Sequence, residues 1–140
     1  MKTSVDDCKI INLRKIADPR GNLTVVENSR DIPFEIKRVY YIYDVPTSSY
    51  RGAHAHNKLE QVMIAISGSF TVRVDDGSSK KLILLNKPFE SLYVPKMIWS
   101  DMMDFSSGAV CLVLASEFYD ENDYIRDYDI FIRLKDELIE

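Results

Sequence analysis

From residue 9 to residue 116 the chain is built of short runs in which apolar and polar side chains alternate, broken at regular intervals by turn-forming residues. Alternation with period two is the mark of a half-buried strand. It predicts strands over 9–14, 22–27, 36–43, 52–56, 61–67, 69–75, 80–85, 89–94, 98–103 and 109–116. Asp75-Asp76-Gly77-Ser78 reads as a hairpin turn, with Gly77 supplying a positive φ, and Gly68 turns the chain between two further strands. The pattern changes in the tail. Over 122–140, Ile125, Tyr128, Phe131, Ile132 and Leu134 recur near helical period, which predicts a C-terminal helix. Closely spaced strands without repeats or linkers predict one all-β domain over 1–140, a small antiparallel sandwich or barrel with a short C-terminal helix.

Composition narrows the function classes. Of 140 residues, 46% are hydrophobic, enough for one core without disulfide support. A net charge of -4 argues against a general nucleic-acid binder. Cys8 and Cys111 have no metal-type spacing. With neither a signal peptide nor a membrane-spanning apolar run expected, a cytoplasmic location is the simplest expectation.

The chemistry concentrates in Arg51-Gly52-Ala53-His54-Ala55-His56-Asn57-Lys58-Leu59-Glu60, which holds both histidines of the chain. In a strand, residues two apart share a face, so the two imidazoles can serve one pocket. Such a pair either binds metal or moves protons near neutral pH. Gly52 would let the backbone turn into the strand. Glu60 either orients an imidazole or pairs with Lys58 at the surface. In Val39-Tyr40-Tyr41-Ile42-Tyr43, alternation puts Tyr41 and Tyr43 on one face and Tyr40 on the other. Arg20 and Arg51 precede glycines at strand entrances, and a guanidinium fork suits phosphate. Lys37, Arg38 and Arg73 could lie on the outer face and receive no role.

Gly52-x-His54-x-His56-x-x-x-Glu60 followed by Gly68 resembles the first motif of the cupins, which implies a small antiparallel β-barrel, or jelly roll. The second cupin motif, Pro-x-Gly-x-x-His, is matched by Pro95-Lys96-Met97-Ile98-Trp99-Ser100, with Met97 in place of Gly and Ser100 in place of His. Serine is a poor ligand for zinc or a first-row metal. The expectation is therefore no metal and no cofactor, with the imidazoles left free for acid–base work.

A resemblance over almost the whole chain is to the dTDP-sugar 3,4-ketoisomerases. It rests on Asp18-Pro19-Arg20-Gly21-Asn22-Leu23, Ile32-Pro33-Phe34, Ile36-Lys37-Arg38-Val39-Tyr40-Tyr41-Ile42, Arg51-Gly52-Ala53-His54-Ala55-His56 and Leu59-Glu60-Gln61-Val62. The run Val113-Leu114-Ala115-Ser116-Glu117-Phe118-Tyr119-Asp120-Glu121-Asn122-Asp123-Tyr124-Ile125-Arg126-Asp127-Tyr128 matches as well. The resemblance implies a metal-independent homodimer that shifts the ketone of dTDP-4-keto-6-deoxyglucose from C4 to C3 through an enediol or enediolate. His54 and His56 transfer protons, with His56 as the carbon base, and Tyr41 is the pocket phenol. Arg20 and Arg51 contact the diphosphate, and Arg20 tilts the expected product toward the galacto form, with Ser100 at the position that bears on this choice. Three other readings stay open: a metal-dependent cupin oxygenase using His54, His56 and Glu60, a sugar-binding module without turnover, and a 3,5-epimerase.

Overall fold

The structure, a computed structural model, describes residues 2–138. Two five-stranded antiparallel sheets face each other. The first has the order β1 (Lys9–Asn12), β9 (Glu90–Val94), β6 (Gln61–Ser67), β11 (Val110–Ala115), β4 (Arg38–Ile42). The second runs β12 (Tyr124–Ile125), β5 (Arg51–His56), β10 (Trp99–Met103), β7 (Phe70–Asp75), β8 (Lys80–Leu85). A separate ribbon pairs β2 (Arg14–Ile16) with β3 (Leu23–Val25), and α1 (Tyr128–Glu137) ends the described chain. This is the expected jelly roll, arranged as two facing sheets.

Alternation explains the layers. Along β6, Met63 and Ala65 point between the sheets, where they join Phe70, Val72, Leu92, Met102, Phe105, Cys111 and Val113. Phe70 and Phe105 stack there with centroids 5.1 Å apart, both fully buried; burying an apolar side chain of this size is worth about 1.5–3 kcal/mol. Val62 and Ile64, on the opposite face of β6, pack with Leu13, Ile32, Phe34 and Leu114 under the loop that precedes β4. The central strands of the first sheet are thus covered on both faces, while the outer face of the edge strand β4 stays exposed.

The expected strand over 9–14 divides into β1 and β2: Leu13 makes the last bond to the β9 side, donating its N–H to Phe89 O, and from Arg14 the chain pairs with β3 instead. The tail is helical only from Tyr128; Asp127 caps it by accepting from Ile130 N. Residues 122–127, expected within the helix, form the end of a 3-10 turn and the short strand β12. Positions 139–140 of that expected helix lie outside the described residues. Phe131 buries the helix against Ala55, Met97 and Ile125.

One buried cation locks this corner. Lys135 Nζ, 2% exposed, donates to Met97 O at 2.5 Å and Thr3 Oγ1 at 2.8 Å. Met97 has φ +59, a left-handed conformation that favours glycine. Methionine therefore holds the turn that the cupin motif assigns to glycine. Its N–H donates to His56 O at 2.8 Å and its carbonyl is held by Lys135, so the strained turn is tied directly to β5.

Candidate active site

Strand β5 does not run smoothly into the site. Its register with β10 passes from His54↔Ser100 to Gly52↔Asp101, so Ala53 is an extra residue, a β-bulge. Gly52 has φ +92 and Ala53 φ +64. A Cβ on residue 52 would meet Ser100 O at 3.0 Å and Asp101 Cα at 3.2 Å, so glycine is needed both for its dihedral and for the approach of β10. Left-handed non-glycine residues are uncommon and cluster at functional sites. Beyond the bulge, His54 and His56 share one face as alternation requires.

The two imidazoles meet edge-on with centroids 5.0 Å apart, and Tyr124 lies 5.0 Å from His54 and 4.4 Å from His56. His54 lines a cavity of about 330 Å³ together with Arg38, Tyr40, Arg51, Gln61, Ser100, Tyr119, Tyr124 and Arg126. His56 sits immediately behind this wall, 3% exposed. Its Nδ1 is 3.3 Å from Asp123 Oδ2, an ion-pair distance. The Asp123 carboxylate is itself fixed by the N–H groups of Lys58 at 2.8 Å and Leu59 at 3.2 Å. Neither ring nitrogen of His56 makes a hydrogen bond among the described residues.

Both imidazoles are held neutral. Burial, then the neighbouring charges of His54, Arg38 and Arg126, pushes His56 down to about 3. Asp123 acts in the opposite direction through Coulomb attraction, so His56 accepts a proton more readily than burial and those charges alone allow. His54 is also lowered, mainly by burial and then by Arg126. Burial raises the Tyr40 phenol to about 12, so it remains protonated and able to donate.

Of the residues singled out in the sequence, His54, His56, Arg51 and Ser100 come together at the cavity. Tyr41 does not. It is 61% exposed and stacks with Tyr43 at 5.7 Å, while Tyr40 on the other face lines the cavity. The pocket phenol expected at Tyr41 is therefore corrected to Tyr40. Alternation separates the two faces, but with aromatic or apolar residues on both faces of β4 it does not say which is inward. Arg20 stands at the tip of the β2–β3 ribbon, its guanidinium bonded to Asp18, outside this chain's cavity. Glu60 accepts a hydrogen bond from Tyr93 and is absent from the cavity wall; the carboxylate beside an imidazole is Asp123.

The ligand set of the oxygenase reading is not assembled. Glu60 is turned toward Tyr93, the fourth cupin position is a neutral serine hydroxyl, and among the described residues no group of three or more His, Cys, Asp or Glu is placed to hold a metal ion. The donor set does not fit a transition metal.

Four site residues received no role from sequence. Arg38, which the sequence leaves unassigned, shares the face of Tyr40 and Ile42 and lines the cavity; its i, i+2, i+4 spacing with them is the available signal. Asp123, Tyr124 and Arg126 arrive from the tail, which pairs β12 with β5 through Tyr124↔His56 and Ile125↔Ala55. At the rim, Arg126 binds Glu121, and hydrogen bonds from Arg126 and Tyr119 pull that carboxyl down to about 2. Arg38, Arg51 and Arg126 outnumber the acids around the cavity, giving it a field suited to an anion.

A family model described as FdtA: WxcM-like, C-terminal, matches residues 6–136. The chain is 52% identical over 123 residues, 88% of each chain, to a TDP-4-oxo-6-deoxy-alpha-D-glucose-3,4-oxoisomerase of Aneurinibacillus thermoaerophilus. It is also similar to the crystal structure of a 3,4-ketoisomerase from Helicobacter canadensis, with a TM-score of 0.91 and 51% identity over 94% of this chain and 98% of that one. A third relative is QdtA, a sugar 3,4-ketoisomerase of Thermoanaerobacterium thermosaccharolyticum in complex with TDP, with a TM-score of 0.93 and 46% identity over 96% and 98% of the two chains.

Proposed function

The chain belongs to the FdtA family (WxcM-like, C-terminal) and is a 3,4-ketoisomerase, and on that premise we propose that it moves the ketone of dTDP-4-keto-6-deoxyglucose from C4 to C3. The observation that carries this reading is the edge-on pair of neutral imidazoles beside a cavity lined by arginines.

The C3 hydrogen of the substrate is acidified by the adjacent C4 carbonyl. A base removes it, the electron pair becomes the C3–C4 double bond, and O4 takes a proton to give the enediol. Loss of the O3 proton and protonation of C4 then leave the ketone at C3 and a hydroxyl at C4. His56, backed by Asp123, serves as the carbon base once the bound sugar opens the wall that closes off its ring nitrogens, and His54, which lines the cavity, handles the oxygen protons. Positioned acid–base groups of this kind contribute about 10²–10⁴-fold. Tyr40 donates to a sugar oxygen. Ser100, beside His54 in the strand register, bears on the face at which C4 is protonated. Arg51 holds the diphosphate.

Arg20 joins Arg51 through a homodimer. The β2–β3 ribbon exposes Ile16 and Leu23, and the edge strand β4 exposes Val39 and Tyr41. These apolar surfaces support pairing of two chains, which would bring one chain's ribbon to its partner. A cytoplasmic setting agrees with two buried, unbridged cysteines. The 3-keto product suits a following aminotransferase in deoxysugar biosynthesis.

NMR of the protein with dTDP-4-keto-6-deoxyglucose in deuterated water tests the reading directly. Deuterium entry at C4 with a carbonyl at C3 supports it, and the configuration at C4 is read in the same spectrum. Exchange at C3 and C5 with the ketone retained at C4 would mark an epimerase instead. The corrected phenol is tested alongside: Tyr40→Phe is expected to lower kcat by about 10–10²-fold, the loss of one hydrogen bond to a charged centre. Tyr41→Phe should leave kcat unchanged in the same steady-state assay.

A further inference from the structure

Arg38 is the unusual cation of this molecule. Arg14, Arg20, Arg73 and Arg126 are each bonded to a carboxylate. Arg38 has no carboxylate partner among the described residues, and its Nε and Nη2 are shut off from solvent without a hydrogen bond. Its guanidinium carbon lies 5.0 Å from the ring centre of Tyr40 and 5.4 Å from that of Tyr119, so two aromatic faces steer the plane while the Nε/Nη2 edge stays without a partner. A buried, unpaired donor edge is costly in a fold and calls for a ligand.

The unpartnered edge is the Nε–H/Nη2–H fork, covered in this structure, which a bound sugar must uncover. The same edge elsewhere in this protein grips two oxygens of one carboxylate: Arg14 holds Asp31 with both contacts at 2.8 Å, and Arg73 holds Asp101 at 3.0 and 2.5 Å. Two classes of oxygen pair would suit it in a nucleotide-sugar site, the diphosphate and the vicinal sugar oxygens. Depth separates them. Arg51 and Arg126 are exposed at the cavity, whereas Arg38 is half-buried.

We propose that the Nε/Nη2 edge of Arg38 binds O3 and O4 of the hexose and stabilises the enediolate during the ketone shift. This deepens the ketoisomerase reading and rests on it. Across a C3=C4 double bond the two oxygens become coplanar, as in a carboxylate, and carry the developing negative charge. In the substrate O3 is a neutral hydroxyl on a tetrahedral carbon, and only O4 carries partial negative charge. The fork therefore fits the intermediate better than the ground state, the condition for accelerating the chemical step. A guanidinium does not give up its proton at neutral pH, so Arg38 supplies charge and geometry while the imidazoles move the hydrogens.

Arg38→Gln is expected to lower kcat by about 10²–10³-fold. Solvent-deuterium exchange at C3 should fall in parallel, with the Kd for dTDP changed by no more than about twofold. Arg38→Lys, a point charge without a fork, should recover only part of the rate. In the wild-type protein, the Arg38 Nε–H resonance should move on adding dTDP-4-keto-6-deoxyglucose and stay in place with dTDP alone, a readout independent of whether the variants fold. A shift with dTDP alone, or Arg38→Gln weakening dTDP by about tenfold or more at unchanged kcat, assigns the fork to the diphosphate and overturns the proposal. Unchanged kcat and Kd in that variant overturn it as well. Wild-type conversion of the same substrate is the control: its failure would fall on the ketoisomerase reading itself.

Discussion

His56→Asn is expected to cut kcat for the ketone shift by about 10²–10⁴-fold and to change dTDP affinity by no more than about twofold. Asparagine is close in size and still polar, so the packing against His54 and Tyr124 is largely kept. What it lacks is a nitrogen able to accept a proton from carbon. His56 is set behind the cavity wall, apart from the exposed Arg51 and Arg126, so removing it should leave the diphosphate contacts intact. Isothermal titration with dTDP and NMR rate measurements with the keto sugar give the two numbers independently. The companion variant His54→Asn assigns the roles. With His56 as the carbon base, His56→Asn loses deuterium exchange at C3 and His54→Asn keeps a measurable part of it. The opposite pattern transfers the carbon step to His54.

The geometry behind this experiment was only partly legible in the sequence. Alternation placed the strands because one side chain in two is apolar through most of the sandwich, and the shared face of His54 and His56 followed from the same period. What alternation could not supply was the orientation of a sheet whose central strands are buried on both sides. Val62 and Ile64 look as inward as Met63 and Ala65, since Leu13, Ile32 and Phe34 cover the outer face. Strand β4 belongs to that sheet and carries aromatic or apolar residues on both faces, so alternation separates Tyr40 from Tyr41 without saying which faces the cavity and gives Arg38 no role; Tyr41 rests on the resemblance alone. Nearness in sequence misled in the same way for Glu60. It follows His56 by four residues, but the chain turns between them and delivers its carboxylate to Tyr93.

The tail shows the opposite limit. Asp123 is distant from His56 in sequence, and no local pattern joins them. The link is made by the pairing of β12 with β5, a contact of only two residues whose helical-looking surroundings conceal it. Met97 was legible as a departure from a glycine position, but not its consequence. The fold retains the left-handed turn and holds it with a buried lysine contributed by the C-terminal helix. The helix thereby steadies the turn that abuts the histidine strand, so a helix without catalytic groups of its own still bears on where His56 sits.

Asp123→Asn should show how far the site depends on that tail, and we expect a loss in kcat of up to about 10⁴-fold, the drop that follows when the carboxylate behind a catalytic imidazole is made neutral. Two effects act together. The carboxylate 3.3 Å from Nδ1 favours the tautomer with hydrogen on that nitrogen, leaving Nε2 free to accept. It also favours the imidazolium that forms when the carbon proton arrives. Losing it makes a base already depressed to about 3 weaker still. The sign of the pH effect follows: the acid limb of the kcat profile, where the base becomes protonated, moves to lower pH in the variant while the plateau falls. Thermal unfolding should register a separate loss of about 1–3 kcal/mol, because the amide cannot accept from both Lys58 N and Leu59 N as the carboxylate does. A purely structural role would lower stability and leave the profile in place. Nitrogen-15 spectra of His56 decide between the two, since only a positioning role predicts a change of tautomer when Asp123 is replaced.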